Sequence, residues 1–391
     1  MSEVKTKVPQ LRFPGFSDEW EEKKLGNISK LTSSKRVYLD DYVQSGIPFY
    51  RGKEISELQK GLTPKDILYI SNESYEQYKS KYGIPQVDDI LITAVGTLGN
   101  ILRIKDRKPF YFKDGNLIWI KDIYEYSNFL EILLEVKNKE IQKTSIGSTQ
   151  RALTMVELRK LLLPFPAKQE QQKIAAFLTA VDTKIEQLST KQVLLGEYKK
   201  GLMQQIFSQA IRFKADDGCD FPDWEEKKLG DILDYEQPTN YIVDSTEYDN
   251  SFDMPVLTAG KSFVLGYTNE THKVFENIPV IIFDDFTTAN KYVDFPFKVK
   301  SSAMKILKPK DSFVNIRLIF EFIQMLNFPI GEHKRYWISE YQDLKIPFPS
   351  FEEQTKIASF LSSIDNKIEQ VGKQLDESKQ FKKALLQQMF V

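Results

Sequence analysis

Cysteine is almost missing from this chain: Cys219 is the single one in 391 residues, so no disulfide can form within it and a reducing compartment suits it. Histidine is scarce too. His272 and His333 are separated in sequence, and with one cysteine they cannot supply a zinc tetrad at the usual spacings. His333, between Glu332 and Lys334, reads as a solvated side chain. No run of about 18 apolar residues occurs, which argues against a membrane-spanning helix. The opening Met1-Ser-Glu-Val-Lys-Thr-Lys7 lacks the apolar stretch of a secretory signal. The expectations are a cytoplasmic location, no membrane contact and no metal site. A net charge of −1 does not point to a polyanionic partner.

Catalytic signatures are lacking as well. There is no Asn/Asp-Pro-Pro-Tyr/Phe segment of the kind that holds a target amine for methylation. Gly96-Thr97-Leu98-Gly99 follows a strand-like run but has no Lys-Ser/Thr after it, so it reads as a hairpin turn rather than a phosphate loop. Asp284-Asp285 has no second acidic pair with a nearby lysine, and its expected place is a strand end or loop. The chain is expected to be non-catalytic and to hold no cofactor of its own.

What the chain does contain is a duplication. Trp20-Glu-Glu-Lys-Lys-Leu-Gly26 recurs letter for letter as Trp224–Gly230, and Leu11-Arg-Phe13 returns as Ile211-Arg-Phe213. A longer frame follows each insert. Pro164-Phe-Pro166, Glu170-Gln171, Lys173-Ile-Ala175, Phe177-Leu178, Asp182 and Lys184-Ile-Glu-Gln187 reappear 183 positions later, from Pro347 to Gln370. The match extends to Lys199-Lys200 and Lys382-Lys383. Between these frames the two inserts barely resemble each other.

From Ile174 a 4-3 spacing runs through Leu178, Val181, Ile185, Leu188, Gln192, Leu195, Lys199, Leu202 and Ile206. Its copy runs Ile357, Leu361, Ile364, Ile368, Val371, Leu375, Ser378, Lys382, Leu385 and Met389. A narrow apolar seam at this period predicts coiled-coil helices of about 40 residues, or about 60 Å. Ser350 with Glu353 predicts a capping box at the second helix; Ala167 leaves the first with Glu170 alone. A seam by itself serves dimerisation equally well, but duplication within one chain favours self-pairing. Each lead follows a helix, so the copy at the N-terminus closes the repeat if the helices oppose each other. The predicted fold is α+β: two globular domains separated by two long helices forming an antiparallel coiled coil in a pseudo-two-fold circular arrangement. The boundaries are 1–163 for the first lead and domain, 164–210 for the central helix, 211–346 for the second lead and domain, and 347–391 for the C-terminal helix.

In the inserts, Asp89–Val95, Leu117–Ile120 and Val280–Phe283 read as strands, and Phe129–Val136 and Ile316–Leu326 as helices. Residues 30–163 hold 21 Lys/Arg against 17 Asp/Glu, a balance of +4, while residues 231–346 hold 12 against 17, a balance of −5. Basic groups lie near aromatics, as at Arg103–Phe112 and Phe297–Lys310, where each alone is more often a solvated charge. Groups of this kind suit phosphates and base edges. The candidates are Lys35, Arg36, Arg51, Lys53, Thr97, Arg103, Thr149, Gln150 and Arg151 in the first insert, and Thr258, Lys261, Lys291, Lys334, Arg335 and Tyr336 in the second.

The frame at 164–187 and 347–370, with the Trp-x-x-x-x-Leu-Gly leads at 20–26 and 224–230, resembles the specificity (S) subunits of type I restriction–modification systems across essentially the whole chain. The resemblance implies an adaptor whose two target recognition domains read the halves of a split, asymmetric site in double-stranded DNA. The helices would fix the half-site spacing, about 34 Å for one helical turn. It further implies two methyltransferase (M) subunits and two restriction (R) subunits as partners, with S-adenosylmethionine and ATP-Mg used there. The competing expectation is a coiled-coil scaffold whose inserts bind proteins.

Overall fold

The repeated Glu-Glu-Lys-Lys segments are strands, and each pairs with a repeated Pro-Phe-Pro segment. A computed structural model describes residues 8–147, 151–258, 262–329 and 335–391. In it Glu21–Lys24 runs antiparallel to Leu162–Phe165, and Glu225–Lys228 to Lys345–Phe348. The registers correspond, with Glu21 opposite Phe165 and Glu225 opposite Phe348. The glycine that ends each lead is explained by close approach. A Cβ on Gly26 would lie 2.9 Å from Arg159 Cβ, and one on Gly230 would lie 3.2 Å from Gln342 Cβ.

The two long helices are Lys168–Phe207 and Phe351–Gln388. The chain divides into two compact units, residues 1–187 with 375–391 and residues 188–374, so each unit holds part of both helices. In the first unit, Ile174, Ala175 and Leu178 near the start of one helix share a core with Leu385, Met389 and Phe390 at the end of the other. In the second unit, Met203 and Ile206 share a core with Ile357, Ala358 and Leu361. The helices therefore oppose each other in each unit. An ion pair crosses between them twice at equivalent positions: Lys382 to Asp182 at 2.6 Å and Lys199 to Asp365 at 2.8 Å. The leads are seated equivalently too. Leu11 N–H donates to Gln388 O at 2.9 Å, as Ile211 N–H donates to Gln205 O at 3.1 Å. That first bond is the closure expected of the repeat.

Of the seam positions, Ile174, Leu178, Leu188, Ile357, Leu361, Ile364 and Val371 are buried, while Val181, Ile185 and Ile368 are only half-buried. Near the end of the first helix, burial passes from Leu202 to Met203.

The Glu-Gln of each frame is fully buried, and its bonds explain why both letters recur. Arg12 of the lead donates from Nε and Nη2 to the two oxygens of Glu170, at 2.7 and 2.8 Å. Arg212 repeats this on Glu353 at 3.0 Å for both bonds. Such planar two-bond pairing is specific to arginine. The adjacent Gln171 donates to Pro166 O and Glu125, and accepts from Tyr126 N–H, the N-cap of helix Ser127–Val136. Gln354 donates to Pro349 O and Phe313 O and accepts from Asn315 N–H, the N-cap of helix Ile316–Met325. The expected capping box forms by half. Glu353 N–H reaches Ser350 Oγ at 3.4 Å, but its carboxylate turns to Arg212 and to Trp224 Nε1, 2.7 Å away, because a buried charge needs a charged partner more than a helix end needs a cap.

The heads share a strand order that their sequences hide. The first has a four-stranded antiparallel sheet ordered Lys30–Thr32, Leu117–Lys121, Ile90–Thr93, Ile101–Arg103, and the second has Leu233–Glu236, Met304–Pro309, Val280–Asp284, Asn290–Val293. Each adds a second sheet, four-stranded in the first head and three-stranded in the second, that ends in a parallel pair, Ile47–Tyr50 with Tyr111–Phe112 and Met254–Leu257 with Lys298–Val299.

Two outcomes test this scaffold. Arg212→Met strands the Glu353 carboxylate and is expected to cost about 3–5 kcal/mol in urea unfolding. Leu361→Lys is expected to unfold the second unit, whereas Ile368→Lys, whose ammonium reaches water, costs about 1 kcal/mol in thermal melts followed by circular dichroism.

Candidate nucleic-acid interface

In the first head the strand Ile47–Tyr50 runs into helix Gly52–Gln59, with Arg51 between them as N-cap. The Arg51 guanidinium holds Glu54 and reaches Asp66 O at 3.2 Å. Burial pushes the Glu54 carboxyl up, but hydrogen bonds from the Arg51 side chain and backbone outweigh it and keep it below the usual carboxylate range. Lys53 leans on Asp66 at 3.3 Å. Opposite lies the hairpin between Ile90–Thr93 and Ile101–Arg103, where Gly96 and Gly99 take φ of 81° and 80°. The turn expected at Gly96–Gly99 is thus a turn, and it exposes Thr97. Arg51, Lys53, Ser56, Lys60, Gly96 and Thr97 line an open groove of about 660 Å³.

Three of the sequence candidates, Arg51, Lys53 and Thr97, are therefore brought together. Lys35 and Arg36 are exposed elsewhere on the head, Lys35 over the Tyr82 ring and Arg36 3.8 Å from Asp114. Arg103 serves the fold instead. Its guanidinium bonds Glu131 at 2.9 Å and Asp88 at 2.7 Å and is mostly buried. Arg151 is exposed and donates to Gln142 O at 3.3 Å. Thr149, Gln150, Lys261 and Lys334 lie outside the described residues.

In the second head Lys291 is exposed on strand Asn290–Val293, and Arg335 is exposed ahead of the short helix Tyr336–Ser339. Thr258 is half-buried. Tyr336 is buried, its N–H donating to Asp285 O at 2.8 Å and its ring packed on Phe328, so it is a core residue rather than a surface contact. The lysines after Phe297 are also largely structural. Lys298 is fully buried on Glu270 and His272 O, Lys305 is buried against Asp285, and Lys308 pairs with Glu236. Asp284 ends its strand and caps the turn by accepting from Phe286 and Thr287 N–H.

Among the described residues one group of potential metal-ligand atoms gathers, from Asp244, Glu270 and His272. Lys273 and Lys298 hold these carboxylates at 3.1 and 2.8 Å, which makes the group a charge cluster satisfied from within. No helix among the described residues is long and apolar enough to cross a membrane. Sequence reading missed Lys60 and Ser56 in the groove; the pattern on helix Gly52–Gln59 carried no sign that it faces the hairpin.

Residues 17–195 and 222–378 match the family described as type I restriction modification DNA specificity domain. The chain is 49% identical over 141 residues to the type I restriction enzyme EcoR124I/EcoR124II specificity subunit of Escherichia coli, a stretch covering 35% of each chain. It is 24% identical to the putative type I restriction enzyme MjaX specificity subunit of Methanocaldococcus jannaschii, over 94% of this chain and 92% of that one. In fold it is similar to the crystal structure of a type I restriction–modification system S subunit from M. genitalium, with a TM-score of 0.68 and 16% identity over 98% of this chain and 99% of that one.

Arg103→Gln is expected to lower stability by about 1.5–3 kcal/mol, the range for hydrogen bonds to charged groups, while Lys53→Gln leaves the thermal midpoint unchanged. Differential scanning calorimetry of the two variants checks the division between structural and surface cations.

Proposed function

Because the chain belongs to the type I restriction–modification DNA specificity domain family, whose members are non-catalytic DNA-recognition subunits, we propose that its two heads read the two unlike halves of an asymmetric, bipartite site in double-stranded DNA. The observation that carries this reading is the mounting of one strand order twice on a repeated scaffold, with different exposed groups on each copy. Identical scaffolds place each head in an equivalent setting on its own unit; unlike surfaces let each select its own bases.

In the first head the groove between helix Gly52–Gln59 and the hairpin turn supplies Arg51 and Lys53 for phosphates or guanine edges and Thr97 for either. Lys35, Arg36 and Arg151 are further exposed cations of the same head, away from that groove, and Lys291 and Arg335 serve the second head. The functional divisions are 1–163, 164–210, 211–346 and 347–391, the helices spacing the readers. Val193, Leu194 and Tyr198 on the first long helix are each more than half exposed, which supports docking of methyltransferase subunits there. Two such subunits and two restriction subunits complete the assembly in the cytoplasm. Methyl transfer from S-adenosylmethionine and ATP-Mg-driven cleavage belong to those partners.

Exchange of residues 24–163 for the corresponding segment of a relative tests the reading. Methylome sequencing of a host carrying the whole system is expected to show one half-site altered and the other kept. Alteration of both halves, or of neither, would sink the modular assignment.

A further inference from the structure

Apart from the reading groove, the first unit carries a second concavity of about 770 Å³ whose lining holds more lysines than carboxylates. Lys137 and Lys139 enter it from the head, and Lys379, Lys382 and Lys383 from the second long helix, against Glu135 and Glu140. Lys137 pairs with Glu140 at 3.3 Å and Lys382 with Asp182 at 2.6 Å. Lys139, Lys379 and Lys383 are exposed, and no ion pair among the described residues engages them. On the helix, positions three and four apart share a face, so Lys382 and Lys383 both neighbour Lys379; the Lys382 ammonium is taken up by Asp182, which leaves Lys379 and Lys383 as the exposed pair.

Lys382 serves the helix pair through Asp182, whereas no ion pair among the described residues gives Lys139, Lys379 or Lys383 such a task. The 183-residue offset places Gly196, Lys199 and Lys200 in the second unit where the first has Lys379, Lys382 and Lys383. There Lys199 is already held by Glu321 and Asp365. The offset between Tyr126 and Asn315, both bound by a frame glutamine, sets Leu326 and Phe328 against Lys137 and Lys139. The second copy therefore keeps lysine at two of these five positions, Lys199 and Lys200, and has Gly196, Leu326 and Phe328 at the others. The groove is also joined to the reader. Asn138 lines it and donates to Gly99 O, and Gln142 donates to Leu98 O at 3.1 Å, in the same turn that presents Thr97 to the reading groove.

We propose that this groove is a second seat for the DNA backbone, in which the long helix and the end of the head hold phosphates flanking the first half-site without reading bases. Lysines suit such a role, since they are flexible point charges that tolerate any base sequence. The inference rests on the DNA-reading function proposed above and makes the sequence-independent part of binding a property of the first unit. The excess of basic residues in the first insert over the second fits the same division.

The test is the triple variant Lys139→Gln, Lys379→Gln, Lys383→Gln in the assembled complex with its methyltransferase subunits. Fluorescence anisotropy follows binding to a cognate and a scrambled duplex from about 50 to 300 mM salt, a range over which phosphate contacts dominate the response. The slope of log Kobs against log salt is expected to fall by about 2 to 3, at about 0.9 for each phosphate that is no longer neutralised, with both duplexes weakened alike and their ratio kept. An unchanged slope overturns the proposal, as does loss of the cognate-to-scrambled ratio at constant slope, which would make these lysines base readers. Loss of the methyltransferase subunits on size-exclusion chromatography, with the slope intact, would assign the groove to an acidic protein surface and overturn it too. Absence of any cognate preference in the unmodified complex would instead defeat the recognition function, and the slope would still report on the groove.

Discussion

A buried carboxylate at the start of each long helix organises everything around it. Glu170 and Glu353 are withdrawn from water, and an isolated carboxylate in that position would be too costly to keep ionised. Each is matched by one arginine delivered from the lead, Arg12 or Arg212, and that requirement pins the lead to the helix start. The neighbouring glutamine uses its amide to join the long helix to the first helix of the head's C-terminal half, at Tyr126 or Asn315. Strand pairing of the lead with Pro-Phe-Pro then follows, since both strands leave from groups already held. Breaking a single charge pair therefore loosens lead, helix and head together.

The same economy of charge separates the heads. In the second head the cations that stand near aromatics in sequence are drawn inward: Lys298 and Lys305 are buried on carboxylates, and Lys305 also lies over the Tyr235 ring at 4.2 Å. A buried ion pair of this sort fixes geometry more than it adds stability. It also removes positive charge from the surface that faces a ligand, so the second head has fewer groups for phosphates than its composition implies.

The scaffold was legible in the sequence because repetition exposes it. Repeated letters, at an offset of 204 in the Trp leads and 183 in the frames and helices, marked these elements, and even Asp182 with Lys382 could be seen to recur, although not that they touch. The 4-3 seam was right in period yet too uniform in weight, since half-burial at Ile185 and Ile368 depends on what packs outside the seam. The heads were less legible. Their common strand order is written in hydrogen bonds between distant backbone segments, and these leave no shared side-chain pattern. Among site candidates, Arg51, Lys53 and Thr97 met in one groove, whereas Arg103 and Tyr336 turned inward. An exposed cation and one clasped by Glu131 and Asp88 look the same along a chain, because the clasp is made by elements far apart in it.

The seating of Leu11 on Gln388, and of Phe390 against Trp20 and Phe129, bears on the order in which the protein can fold during synthesis. The second unit is one uninterrupted stretch, residues 188–374, and has everything it needs once that stretch has emerged from the ribosome. The first unit begins earlier but lacks a wall of its core until residues 375–391 arrive. Vectorial synthesis usually favours the N-terminal domain; here the half made first must wait, its apolar face uncovered, and closes last.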